Sequence, residues 1–300
     1  QLPGEVVLCA KRHILDAFAA MVSASTLPVA RVLTALVQTE GGNPDSSLVG
    51  SSLLTTASLA ALANGTLAHA DETDDFHPSS ATHPGCSTIP AALAVAEREH
   101  RDGTAFLKAV VLGYDIGCRV TRALVPRLVA APGHSPRSIG GTFCAVAPAA
   151  SLLGLSAMQV SYALSYAAQQ ASGIGSYIRD RDHMEKAFAL GGMPARNGVT
   201  AALLVHAGFT GVEDVFQGER NFLHAYSPDP KPSELIMELG SRFEIRETSL
   251  KKYCAGSPIQ APLEALLAIV SDHNLKAREV EELTVRLPEP NARTVDNRQM

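Results

Sequence analysis

The chain has 300 residues, a hydrophobic fraction of 46% and a formal net charge of −5 with a pI near 6.1. It can bury one large core or two domains, lacks the basic field that nucleic acid needs, and has no apolar run as long as a membrane span. Five scattered cysteines, Cys9, Cys86, Cys118, Cys144 and Cys254, form no CxxC pair, which argues against a disulfide framework or zinc ribbon and for buried thiols in a reducing cytosol.

The opening "QLPGEVVLCAKRHILDAF" is amphipathic and charged, with no h-region of a signal peptide, so a cytoplasmic protein is expected. Val7, Ala10, Ile14, Phe18 and Met21 fall three or four apart and predict a first helix with one apolar stripe. Further helices are predicted at 27–39, 55–70, 87–100, 138–153, 156–170 and 193–208, many with Ala and Gly spaced for close axes. In "TAFLKAVVLGYDIGCRVTRAL" Asp115, Arg119 and Arg122 share the one polar face of a mostly buried helix. After about residue 240, "RFEIRE" and "ELTVRL" alternate apolar with polar and flank an apolar helix at 257–272. The expected architecture is mainly α: a large all-helical domain over 1–241, and the start of a smaller α+β domain over 242–300. Two strands and one helix make a poor sheet, so that second domain reads as unfinished.

The densest chemistry lies in "LAHADETDDFHPSSATHPGC", residues 67–86. Acids at a helix C-terminus oppose its dipole, so Asp71, Glu72, Asp74 and Asp75 need a compensating contact. A solvated helix end accounts for Glu72 and Asp74 but less well for the His-Pro pairs at His77 and His83. A metal is open in principle, but no HExxH-like spacing supports it. In "APGHSPRSIGGTF", His134 and Arg137 precede a helix whose free N–H groups suit an anion, although a lone loop histidine is usually just solvated. Asp180 and Asp182 in "SYIRDRDHMEKAFALGGMP" read as solvated. Lys186 stands at a polar–apolar border, where a lysine either covers a pocket or snorkels to water. Lys251 and Lys252 in "SLKKYCAGSPIQAP" fall at the domain boundary, a favoured ligand position or simply solubilising charge.

Taken together and in order, these segments resemble the MmgE/PrpD family. The likeness runs through "VVLCAKRHILDAFAA", "AHADETDDFHPSSATHPG", "HSPRSIGGTFCAVAPAASLLGLS", "MPARNGVTAALLVHAGFTG", "SLKKYCAGSPIQAPLEAL" and "TVDNR". The resemblance implies a helical domain with an α+β lid, incomplete in this chain, a homodimer, and chemistry without metal or organic cofactor on a small carboxylate substrate. Carried over by position, the catalytic set is Asp71, His83, His134, Lys186 and Lys251. Asp75 and His77 would face substrate, with Arg137 and Lys252 also pairing its carboxylates. Family activities include 2-methylcitrate dehydration, iminodisuccinate epimerisation and cis-aconitate decarboxylation. The chain departs from decarboxylase-type members at Gly256, where they carry histidine, and in the two extra residues of "HPSSATHP". It departs from many relatives at "AFALGGMP", where they carry a basic or His-containing segment, and at Gln260, often histidine. These departures count against both cis-aconitate decarboxylation and strict 2-methylcitrate specificity. The expected ranking is therefore dehydratase (hydro-lyase) first, isomerase or epimerase second, decarboxylase third. The rival of another class is a dimeric ligand-binding or scaffold protein.

Overall fold

Small side chains let the helix axes close up. The computed structural model describes residues 2–288 and residue 295, and the chain divides after Leu250 into two compact units. The first begins with α1 (Gly4–Ala24) and α2 (Pro28–Glu40), then a two-residue antiparallel pair, β1 (Ser46–Ser47) and β2 (Leu54–Thr55). It continues with α3 (Ala57–His69), α4 (Gly85–Arg98), α5 (Gly103–Ala123), α6 (Pro126–Ala130), α7 (Pro136–Leu152) and α8 (Ala157–Gln170). Next come α9 (Met184–Ala187), α10 (Met193–His206) and α11 (Phe222–Tyr226). The mainly α fold and every predicted helix are present. Among the described residues, no single helix is long and apolar enough to cross a membrane.

α3 is buried along most of its length. Thr56 caps it, accepting from the Leu59 N–H, and every residue from Ala60 to His69 is buried. A helix buried all round must put any polar group it carries against a partner. Asn64 bonds to the backbone of Ser47 and Val49, Thr66 to the Leu62 carbonyl, and the terminal His69 needs a partner beyond the helix. A π-helical turn, Phe188–Gly192, joins α9 to α10 and runs against α3. A Cβ added to Gly65 would lie 2.6 Å from the Gly191 carbonyl oxygen, so the two backbones meet with nothing between them. That contact brings α9, which carries Lys186, to the end of α3.

Three expectations shift. The buried face of α1 is Val6, Ala10, His13, Ala17, Ala20, Met21 and Ala24. Its small residues take the close contact, leaving Val7, Ile14 and Phe18 half-buried at the rim. The polar face of α5 is not solvated. Arg119 is only 1% exposed, donating through Nε to Asp115 Oδ2 at 2.9 Å and through its other nitrogens to the carbonyls of Met237 and Arg242. Finally, "RFEIRE" is not a strand. Residues Glu244–Glu247 form a 3₁₀ turn, with Ile245 in the helical core. The apolar/polar alternation misleads because Glu244 is also buried, held by Arg122 and Arg242.

In the second unit, α12 (Gln260–His273) matches the predicted 257–272 helix. Residues 281–288 pair in no strand, and Leu283 and Val285 stay exposed. A sheet in that unit is therefore not displayed by the described residues, and "TVDNR" lies outside them except for Val295.

Candidate active site

Helix α3 ends at His69, and the following turn folds Asp74 back beneath it. His69 Nδ1 donates to Asp74 Oδ2 at 2.8 Å, and His83 Nδ1 lies 3.3 Å from the same oxygen. His83 Nδ1 also donates to the backbone carbonyl of Asp75 at 2.8 Å. A carbonyl can only accept, so Nδ1 carries the proton, and Nε2 is left as the ring atom that can trade one. The His69 and His83 rings meet edge to face at 4.9 Å, and Phe76 packs on His83 at 5.1 Å. Burial drives the His69 pKa down to about 3, against the pull of Asp74, with His83 and Lys186 lowering it further. His69 is therefore neutral at pH 7, with its buried Nε2 lacking a hydrogen-bond partner among the described residues. The acidic helix end is thus not a solvated one: Asp74 is 1% exposed and joins two imidazoles.

A second shell of contacts extends this pair. His183 stacks on His69 at 5.7 Å, and Glu72 forms ion pairs with both His183 and Lys186. Asp71 Oδ1 accepts from the backbone N–H and hydroxyl of Thr73. Two donor sets lie within 4.8 Å, His69 with Asp74 and His83, and His69 with Glu72 and His183. Each set could offer a cation one ligand atom per residue. In the first, the Nδ1 atoms already donate protons to Asp74 and to a carbonyl. In the second, Glu72 is already ion-paired with Lys186.

Asp75 faces the other way, into the body. It is 1% exposed, and its Oδ2 accepts from His13 Nδ1 at 2.7 Å and from Tyr114 OH at 2.5 Å, while Oδ1 accepts from Gly85 N–H at 3.0 Å. A Cβ on Gly85 would sit 2.9 Å from both carboxylate oxygens, so glycine is needed there for the carboxylate to reach the helix start. Its work is to pin the 70–85 loop onto α1, α4 and α5, which sets the carbonyl that holds His83.

His77 is likewise internal, with Nδ1 2.7 Å from Ser80 Oγ and Nε2 3.0 Å from Glu244 Oε2. Burial lowers its pKa, but Cys118 and Glu244 more than offset that and hold it at about 9. The buried Cys118 thiol is itself pushed well above its ordinary value and is neutral at pH 7, so Glu244 is the lasting counter-charge. The Ser80 N–H, 3.1 Å from Nδ1, opposes a second ring proton, but a full charge at 3.0 Å outweighs one amide dipole. Burial raises the Glu244 pKa, yet His77 and the arginines bring it down to about 2.

These shifts set a pH window. The His77 contribution is complete below its ordinary 6.5 and is lost as pH rises through about 9. His69 acts oppositely: the unfolded chain takes up its proton below 6.5, so stability falls as pH drops from there towards 3. Glu244 adds a further loss as pH falls from 4.5 through about 2. The urea midpoint is therefore expected to peak near pH 6.5. Glu244→Gln should flatten the alkaline limb and His69→Asn the acid limb; variants that track the wild type on both limbs would refute these assignments.

Of the remaining expected residues in the first unit, His134 and Arg137 form no hydrogen bond or ring contact with this cluster among the described residues. His134 is exposed, bridged through its backbone to Ile174 and edge-on to Tyr226 at 5.6 Å. No hydrogen bond or ring contact joins it to His83 among the described residues. They share a support all the same: Gly140, in the first turns of α7, packs against Thr82. Arg137 is half-buried on that helix start. Lys251 and Lys252 belong to the second unit, where Lys252 pairs with Glu264 at the surface. The sequence reading had passed over His13, His69, Tyr114 and His183. Two of these were legible: His13 sits three after Ala10 and four before Ala17 on the α1 face, and His69 closes a helix that is mostly Ala and Leu.

Comparison with known proteins supplies independent findings. The model of the MmgE/PrpD N-terminal domain matches residues 1–235. The cis-aconitate decarboxylase-like protein oryM of Aspergillus oryzae (strain ATCC 42149 / RIB 40) is 28% identical over 315 residues, 96% of this chain and 63% of that protein. Cis-aconitate decarboxylase of Aspergillus terreus is 25% identical over 224 residues, 69% of this chain and 44% of its own length. Cis-aconitate decarboxylase of Homo sapiens is 29% identical over 241 residues, 77% of this chain and 49% of its own length. The chain thus spans between 44% and 63% of the lengths of these relatives. With the MmgE/PrpD N-terminal domain model matching residues 1–235, most of the sequence, this chain belongs to the MmgE/PrpD family.

Proposed function

We propose that the chain supplies the proton-transfer face of a metal-independent lyase acting on a small di- or tricarboxylate. The observation that carries this reading is the 2.8 Å bond from His83 Nδ1 to the Asp75 carbonyl. It fixes one tautomer and reserves Nε2 for exchange. Lys186 and Lys251 bind substrate carboxylates, and their charge stabilises the enediolate formed beside one of them. His134, Arg137 and Lys252 are the remaining members of the proposed set. Asp71 holds the turn between His69 and Asp74.

One toolkit serves two cleavages. In decarboxylation the carbon–carbon electrons stay on the substrate as CO2 leaves, and an imidazolium donates the proton that quenches the carbanion. In dehydration the imidazole removes the proton next to the carboxylate, and a second acid protonates the departing hydroxyl. The names of the three relatives bring carbon–carbon cleavage of a cis-aconitate-type substrate forward as the first to test. Dehydration is the second reading, favoured by Gly256 in place of the histidine expected of a decarboxylase-type member.

The test is to incubate the full-length protein with cis-aconitate, citrate, 2-methylcitrate and iminodisuccinate in deuterated water, following C–H signals and CO2 release. Turnover or exchange on one of them supports a lyase. Saturable binding without any exchange would favour the ligand-binding alternative. Lys251→Ala is expected to raise KM more than it lowers kcat, as loss of a contact felt equally in ground and transition states does. An unchanged KM would remove Lys251 from the site.

A further inference from the structure

We infer that Glu72 is a built-in competitor for Lys186, and that a ligand carboxylate binds there by exchanging with it. The inference rests on the proposed reading of Lys186 as a carboxylate partner and adds what that partner holds before substrate arrives.

Glu72 has a left-handed backbone, φ 60°, and so does His183, φ 59°. Neither is glycine, and such a conformation is strained for a residue with a Cβ. The two residues face each other: Glu72 Oε1 lies 3.4 Å from His183 Nε2 and is ion-paired to Lys186 Nζ. Two left-handed residues from separate parts of the chain therefore meet at the Glu72 carboxylate, which also holds the Lys186 ammonium. The Glu72 N–H still bonds to the His69 carbonyl at 3.3 Å, and the Lys186 N–H to Asp180 Oδ2 at 3.0 Å, so both backbones are held whichever way the side chains pair. The side chains of Glu72 and Lys186 are 19% and 26% exposed, which leaves the pair within reach of a solute. A carboxylate group is the chemistry Lys186 already accepts here, and a ligand of the same chemistry can take its place. Exchange moves one carboxylate out and one in, so no net charge has to be buried. The cost is affinity, because every ligand must first displace Glu72.

The test is calorimetric titration of the full-length protein with tricarballylate, a tricarboxylate with neither a hydroxyl to lose nor a double bond. Glu72→Gln is expected to tighten binding at least tenfold, and the gain should vanish in Glu72→Gln/Lys186→Met. Glu72→Gly removes the same carboxylate while relieving the left-handed backbone, so it should match the tightening with a thermal transition at or above that of the wild type. Unchanged or weaker binding in both single variants would overturn the inference, as would a gain that survives the loss of Lys186. If wild type and variants bind no carboxylate at all, the proposed function fails as well. If the wild type binds and turns over substrate while neither Glu72 variant binds more tightly, only the competitor role fails.

Discussion

His83→Asn is expected to lower kcat by about 10²–10⁴, the range typical of losing a positioned general acid or base, while leaving the fold intact. Asparagine is the informative replacement because its side-chain amide nitrogen falls where histidine has Nδ1. It can keep the bond to the Asp75 carbonyl and still offers no atom at the Nε2 position. His83→Ala removes both, and because the ring is buried against His69 and Phe76 it should also cost ~1–3 kcal/mol of stability. The pair thus separates chemistry from packing. Turnover by His83→Asn within tenfold of the wild type would remove His83 from the proton-transfer role. A thermal transition as low as that of His83→Ala would show that the amide does not reproduce the Nδ1 bond.

What the sequence disclosed, and what it hid, follows from the range of each signal. Helix positions depend on local periodicity and small-residue spacing, and so 27–39 and 156–170 emerged within a residue or two as α2 and α8. The 67–86 block stood out by charge density in an otherwise apolar chain. Which of its acids does what was not legible, because neighbours in sequence point to opposite sides of the loop. Asp74 turns to His69 and His83, whereas Asp75 turns to His13 and Tyr114, 62 and 39 residues away in sequence. The strand reading of 242–247 failed for a related reason: a buried carboxylate looks like a solvent-facing one until His77, Arg122 and Arg242 are seen around it. Long-range pairing of charges, not propensity, decided both cases. It also explains why Glu72, which reads as an ordinary helix-end acid, meets Lys186 from 114 residues away.

Asp75→Ala is expected to be the most destabilising single change in the site, by at least ~3 kcal/mol, since each buried donor left without its acceptor costs about 1–3 kcal/mol. The substitution strips three buried donors of their acceptor at once: His13 Nδ1, Tyr114 OH and the Gly85 N–H. Water cannot readily replace it, since His13 and Asp75 are 2% and 1% exposed and Tyr114 is fully buried. Burial and Asp75 together push the Tyr114 pKa well above its ordinary value, so the phenol stays protonated and obliged to donate. Asp75→Asn should cost less than Asp75→Ala, since one oxygen still accepts, but its NH2 then confronts a donor. Tyr114→Phe in the Asp75→Ala background should recover part of the loss, because it deletes one orphaned donor. Activity separates this role from substrate contact. A substrate ligand would raise KM in Asp75→Asn with little change in the urea midpoint. A pin for the 70–85 loop would instead lower the midpoint, and would lower kcat through the misplaced carbonyl that holds His83. An unfolding free energy within about 0.5 kcal/mol of the wild type, the scatter of ordinary surface substitutions, would mean that the three donors find other partners and that Asp75 is not what fastens the 70–85 loop to the helices.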